Sequence, residues 1–234
     1  MAETLKDIFV HHLHYWALGF MAVVYIVKIR WILKFNAVSE RTPARGDHAA
    51  GVRFSFQQTL DPRAMESNRM HPMHWVEFVI LHLGVSVGIT ATILMPHLTG
   101  FFWNPAIAWT LRVIIGLSFL VATVRLWRRV TDKNLKLITH PDDLFAIFVM
   151  WVWFAIAFFG IAPLFGTASS VDAYSSRADL WMVGILFAWT TFLLVYVPFS
   201  KISHYIFWPF QRYYIGKHLG HRGVFPKVKP AGQA

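Results

Sequence analysis

The chain has no cysteine among its 234 residues. Iron–sulfur clusters, thiolate metal sites and covalently attached c-type heme are therefore excluded on this chain, and any such centre would belong to a partner. Charge is scarce as well. Only 15% of the residues are Asp, Glu, Lys or Arg, against 56% hydrophobic and 17% aromatic residues, which is the composition of a membrane protein rather than a soluble domain. Acidic residues are the scarcer sign, 12 against 22 basic, leaving a formal net charge of +10. Such a balance raises nucleic acid as a partner, but the Lys and Arg residues fall in the links between apolar runs. That distribution is the pattern of membrane topology, so no nucleic-acid partner is expected. No internal repeat occurs at a fixed period, and residues 1–234 read as a single membrane domain.

What the chain does have is long apolar runs. They cover Phe9 to Phe35, Met73 to Leu98, Ala106 to Trp127, Leu144 to Leu164, and residues 180–208 within the stretch Leu180 to Phe210. Each approaches or exceeds the ~20 residues that cross a hydrocarbon core, so the expected fold is an all-α integral membrane bundle of five transmembrane helices. The first run has no basic leader and no small-residue cleavage site, and is expected to be retained. Pro141, followed by Asp142 and Asp143, reads as the opening of the fourth helix, where a missing N–H costs nothing and carboxylates face the positive end of the dipole.

The links set the orientation. The loop 36–72 carries Arg41, Arg45, Arg53, Arg63 and Arg69 and is broken by Pro43, Gly46, Gly51 and Pro62, with room for a short interfacial helix. The link Arg128 to Lys136 and the tail 211–234, with Arg212, Lys217, Arg222, Lys227 and Lys229, are also basic, as is Lys201 before the tail. The N-terminus and the links 99–105 and 166–179 are nearly free of Lys and Arg. The positive-inside rule then places the N-terminus out and the C-terminus in the cytoplasm, in a multi-pass protein of the cell inner membrane.

Twelve histidines are present, and most sit where an interfacial or solvated imidazole is enough explanation. His11, His12, His14 and His97 fall at outer helix ends, His71, His74 and His140 at cytoplasmic ends, His48 in the first loop, and His218 and His221 in the tail. His82 and His204 are different. His82 stands in the apolar context VILHLGVSVGIT, nine residues or ~13 Å into the second helix. His204 ends the element PFSKISH in the fifth run, six residues after Pro198. An ionisable side chain inside a membrane is a site hypothesis by default. Two imidazoles from different helices are what a bis-histidine heme b needs, one above the iron and one below. Gly84 and Gly88 would admit either a flat macrocycle or a neighbouring helix. The bland alternative is that His82 hydrogen-bonds within the bundle and His204 lies at the interface. Depth also matters: a straight helix from Trp181 to His204 rises ~35 Å, more than a ~30 Å core, and tilt or a kink at Pro198 would bring His204 level with His82.

The element PFSKISH resembles the P-F-S-[KR]-x-x-H element that ends the last helix of the gamma subunit of respiratory nitrate reductase, and LHLG around His82 is similar to that family's histidine-x-glycine opening of the second helix. Arg128 and Arg129 closing the third helix, Asp143 opening the fourth and the five-helix layout extend the resemblance over most of the chain. Related membrane subunits serve heterodisulfide reductase and sulfite-reductase-associated complexes. The resemblance implies a heme b electron-transfer subunit between the quinone pool and an iron–sulfur partner on the cytoplasmic side. It implies His82 and His204 as axial ligands of the heme nearer that partner. The family's second pair lies ten residues after the first of these histidines and eighteen before the last; here those positions are Thr92 and Leu186, so one heme is expected. His97 with His14 or His11 is the alternative outer pair.

Lys201, Arg128 and Arg129 are candidate propionate contacts, each also readable as the ordinary basic end of a membrane helix. Glu77 and Arg112 are candidate quinone contacts, against readings as a solvated end-of-helix acid and a snorkelling cation. The basic segments 36–70 and 211–229 are expected to dock the iron–sulfur partner, with membrane lipids around the bundle. Two rivals stand beside this reading: a heme-free structural anchor, and a small transporter, which the lack of repeat symmetry and the scarcity of paired intramembrane charges disfavour.

Overall fold

The computed structural model describes residues 8–34, 40–61, 69–102, 104–161 and 177–226. The expected helix end at 162–164, much of the link 166–179 and the tail beyond 226 lie outside the described residues. Every regular element among the described residues is helical. A π-helical turn Ile8–Leu13 leads into α1 (His14–Lys34); then come α2 (His48–Leu60), α3 (Pro72–Leu94), the short α4 (Thr99–Phe102), α5 (Pro105–Thr131), α6 (Lys133–Ile138), α7 (Pro141–Gly160), α8 (Arg177–Tyr196) and α9 (His204–His221). Five segments are long and apolar enough to cross a membrane: Ile8–Lys34, Pro72–Leu94, Pro105–Thr131, Pro141–Gly160 and Trp181–Phe199. These are the five apolar runs of the sequence.

Helix boundaries follow local chemistry. Asn104 caps α5, its side chain accepting from the Ala106 N–H at 3.0 Å, with Pro105 in the first turn. His140 and Asp143 form a capping box at the start of α7. The fifth run is not one helix to residue 208. α8 stops at Tyr196, Val197–Phe199 and Lys201–Ser203 are 3₁₀ turns with extended backbone at Ser200 between them, and α9 starts at His204. Pro198 cannot donate to the helical ladder, and the expected kink becomes a break. The basic tail is likewise not all tail, because α9 continues helically to His221.

Contacts between backbone positions divide the chain into two compact units, Met1–Val24 with Glu77–Ile202, and Tyr25–Val76 with Ser203–Ala234. In the first, α5, α7 and α8 surround a core of Ile115, Val149, Trp153, Phe154, Leu186 and Phe187. Hydroxyls and carbonyls satisfy the indoles inside this apolar setting: Trp153 donates to Thr190 Oγ1 at 2.9 Å, Trp151 to Thr123 Oγ1 at 2.8 Å and Trp189 to the Val149 carbonyl at 3.1 Å. α3 joins through its glycines. A Cβ on Gly84 would lie 1.9 Å from Ser118 Oγ, and one on Gly88 would lie 2.4 Å from Trp153 Cη2, so both positions are closed to any side chain. The Ser118 hydroxyl lies 2.9 Å from the Ile80 carbonyl of α3 and 2.8 Å from the Ile114 carbonyl of its own helix.

In the second unit, α2 and α9 cross with backbone against backbone. A Cβ on Gly51 would meet the Gly216 carbonyl at 2.4 Å, and one on Gly216 would meet Val52 Cα at 2.6 Å. Gly216 and Gly220 form a G-x-x-x-G pair, spaced to put both on one helical face. His221 locks the crossing: its Nε2 lies 2.9 Å from the Thr42 carbonyl and therefore donates, while its Nδ1 lies 3.0 Å from His48 Nε2. The Tyr25 and Tyr205 hydroxyls meet at 2.5 Å.

Two substitutions separate packing glycines from incidental ones. Gly88→Val should destabilise the detergent-solubilised protein by about 1–3 kcal/mol through overpacking against Trp153. Gly184→Ala, where nothing lies within 4 Å of the added carbon, should be neutral or stabilising by up to about 1 kcal/mol. Thermal unfolding followed by tryptophan fluorescence measures both.

Candidate functional site

The end of the first unit where α3 begins, α5 ends and α7 begins carries a polar layer. On α5, Arg125, Arg128 and Arg129 are spaced three and four residues apart and so share a face. Glu77 of α3 is ion-paired with Arg128 and lies 3.6 Å from Arg125. Arg129 donates to Thr139 Oγ1 at 3.3 Å. Lys201, the first residue of the second 3₁₀ turn after α8, donates to Asp143 at 2.9 Å and lies 3.7 Å from Asp142 at the start of α7. The Asp143 hydrogen bond holds the Lys201 ammonium above its ordinary pKa. Five of the candidate residues are thus set in their surroundings. Glu77, Arg128, Arg129 and Lys201 belong to this layer, and each already has a protein partner. Glu77 is an ion-pair acid rather than a solvated one. Arg125 was not among the candidates, although its spacing from Arg128 is visible in the sequence once Glu77 is known to need a partner.

The fifth, His82, stands five residues or ~7.5 Å along α3 from Glu77. Its Nδ1 lies 2.8 Å from the Phe78 carbonyl one turn earlier, and its ring is tilted against Phe78 with centroids 4.0 Å apart. A carbonyl only accepts, so Nδ1 donates here. Successive residues turn by ~100°, which places His82 about 200° around the helix from Gly84, on a different face from the glycines. Those glycines are filled by Ser118, Phe154 and Trp153, so of the two uses open to them the structure assigns helix packing. His204 is the first residue of α9, is exposed, and belongs to the second unit.

Arg112 is not part of the layer. It is 4% exposed on α5, seven residues after Pro105, with its guanidinium 5.4 Å from the centre of the Trp109 ring. Thr92 and Leu186 are fully buried; Thr92 donates to the Ile89 carbonyl at 2.9 Å, and Leu186 packs on Gly160. Of the outer histidines, His97 bonds the Tyr15 hydroxyl at 2.8 Å. His14 is fully buried, edge-on to Phe187 at 5.1 Å, with no hydrogen-bond partner at either ring nitrogen among the described residues. The side chain of His11 lies outside the described residues. No group of three or more His, Asp or Glu side chains among the described residues is arranged to hold a bare metal ion.

A second ionic cluster belongs to the second unit. Arg222 donates to Glu40 at 2.6 Å, and His218 lies 3.6 Å from the same carboxylate. The Arg222 hydrogen bond depresses the Glu40 pKa below its ordinary 4.5. A depressed acid stabilises the fold above its unfolded pKa, and that contribution is lost as pH falls through the folded value. Melting temperatures should therefore drop more steeply below pH 4.5 for the wild-type chain than for Glu40→Gln. For the first cluster, Glu77→Gln should destabilise by about 1–3 kcal/mol, because it leaves two half-buried guanidinium groups facing a neutral amide; the same melting experiment reads it. Comparison with protein-family models, with curated proteins and with solved structures finds no match.

Proposed function

We propose that this chain is a heme b electron-transfer subunit of a respiratory-type membrane complex, exchanging electrons between the quinone pool and an iron–sulfur partner. The observation that carries the reading is the state of His82. An imidazole whose Nδ1–H is held by a backbone carbonyl is fixed in orientation, with Nε2 as the nitrogen that would ligate, which is how metal-bound histidines are commonly supported. Its donor set fits heme iron, which takes one or two protein nitrogens and needs no cluster of carboxylates. His204 is the second ligand in this reading. The heme supplies the one-electron chemistry; the chain binds it, fixes its orientation and keeps water away.

The layer of ion pairs supports a heme edge near Glu77. Propionates there would compete with Glu77 for Arg128 and with Asp143 for Lys201, so those carboxylates would set how tightly the propionates are held. Thr92 and Leu186, buried within the helix packing, support a single heme. Basic loops and the basic C-terminal region support an outward N-terminus, a cytoplasmic C-terminus, a place in the cell inner membrane and docking of an acidic face of the partner. Quinone would be the mobile redox substrate, with Arg112 as its candidate contact away from the layer and Glu77 as the candidate proton relay within it.

A pyridine hemochrome assay on purified full-length chain should give one b heme per chain, with a low-spin spectrum that is lost in both His82→Ala and His204→Ala. An unchanged spectrum in either variant would remove that residue as a ligand, and a colourless wild-type chain would leave a heme-free anchor.

A further inference from the structure

We infer that α6, the short helix joining two of the spanning segments, is a foot that stands on an anionic lipid surface. The inference rests on α5 and α7 crossing a membrane, and does not depend on the heme. Leu137 is 86% exposed, more than any other large apolar side chain among the described residues, and its neighbour Ile138 is 76% exposed. Two adjacent apolar groups turned out so far are costly in water. They are not on a loose link. Asp132 caps α6 by accepting from the N–H groups of Asn134 and Leu135, Thr139 donates to the Leu135 carbonyl at 2.6 Å, and Arg129 donates to Thr139. One residue separates α5 from α6 and two separate α6 from α7, so the link has little slack.

Charge specifies the occupant. Arg128 is held by Glu77, Asp132 is used as a cap, and Asp142 and Asp143 face Lys201. Lys133 and Lys136 are exposed and have no acidic partner among the described residues. Spaced at i, i+3 and i+4, Lys133, Lys136 and Leu137 fall on one face of α6. An apolar tip beside two ammonium groups, at the end of a membrane-spanning segment, matches the boundary between acyl chains and phosphate: Leu137 and Ile138 enter the boundary, and the lysines reach lipid phosphates. A protein partner would bury the tip equally well, but would have to bring its own acidic groups to the depth where the headgroups already supply them. In this arrangement the foot fixes the depth of the polar layer that holds Glu77, Arg128, Asp143 and Lys201.

The absence of cysteine makes the test direct. Leu137→Cys carries a single environment-sensitive fluorophore on the full-length chain, reconstituted into phosphatidylcholine vesicles with or without phosphatidylglycerol. The expected result is blue-shifted emission, quenched by a nitroxide on the acyl chain near the headgroup and protected from aqueous iodide. Phosphatidylglycerol should increase the shift, and the Lys133→Gln, Lys136→Gln double variant should lose that increase. Phe148→Cys, on an exposed position within α7, should be quenched by a nitroxide deep in the chain region. Iodide-accessible label at 137 with deep quenching at 148 would overturn the foot while leaving the membrane-spanning reading intact; loss of quenching at both would overturn the two together. A label at 137 that stays water-exposed in vesicles and is protected only in the assembled complex would assign α6 to a protein partner and overturn the lipid proposal.

Discussion

The close approach of α3 to α5 and α7 at Gly84 and Gly88 is the contact on which the placement of α3 in the first unit depends. Between apolar helices in an apolar solvent there is little hydrophobic gain, so association rests on van der Waals contact and a few polar bonds, and contact improves where there is no side chain. At these glycines, Ser118 and Trp153 occupy space that any Cβ would claim. Once that face is committed, the helical repeat leaves His82 on another, with its Nδ1 on the Phe78 carbonyl of its own helix. The glycines that sequence patterning offers equally to a macrocycle or to a helix are used by the helices.

Polar groups in this unit are handled in two ways. In the interior, the indole N–H groups of Trp153 and Trp189 meet a threonine hydroxyl and a backbone carbonyl, which removes the cost of burying them without introducing charge. At one end, three arginines, a lysine and three carboxylates are drawn into one layer, where each ion has a partner and the helix starts and stops coincide. His14 is the exception to the first pattern, with both nitrogens enclosed and no bond to either among the described residues. The second unit relies on the same economy of volume in a different form: Gly51, Gly216 and Gly220 bring α2 and α9 to backbone contact, and the His48–His221 pair and the Glu40–Arg222 bridge close the ends.

The amino-acid sequence by itself determined the five helices long and apolar enough to cross a membrane, because twenty apolar residues in succession have few alternatives to a helix when backbone groups must bond within their own segment. It also marked the start of α7, since Pro141, Asp142 and Asp143 act through local dipole and capping chemistry that needs no distant partner. Tertiary structure decided what depends on contact at a distance. Pro198 could have bent a helix or ended it, and it ends it. The segment 211–221 looked like basic tail because its glycines serve a crossing with α2 rather than a lipid-length run, and such a crossing needs both helices to be recognised. Glu77 and Lys201 were visible as charges, but whether each faced water, a cofactor or another side chain followed only from Arg125, Arg128 and Asp143 being brought to them, because Coulombic pairing depends on separation in space rather than along the chain.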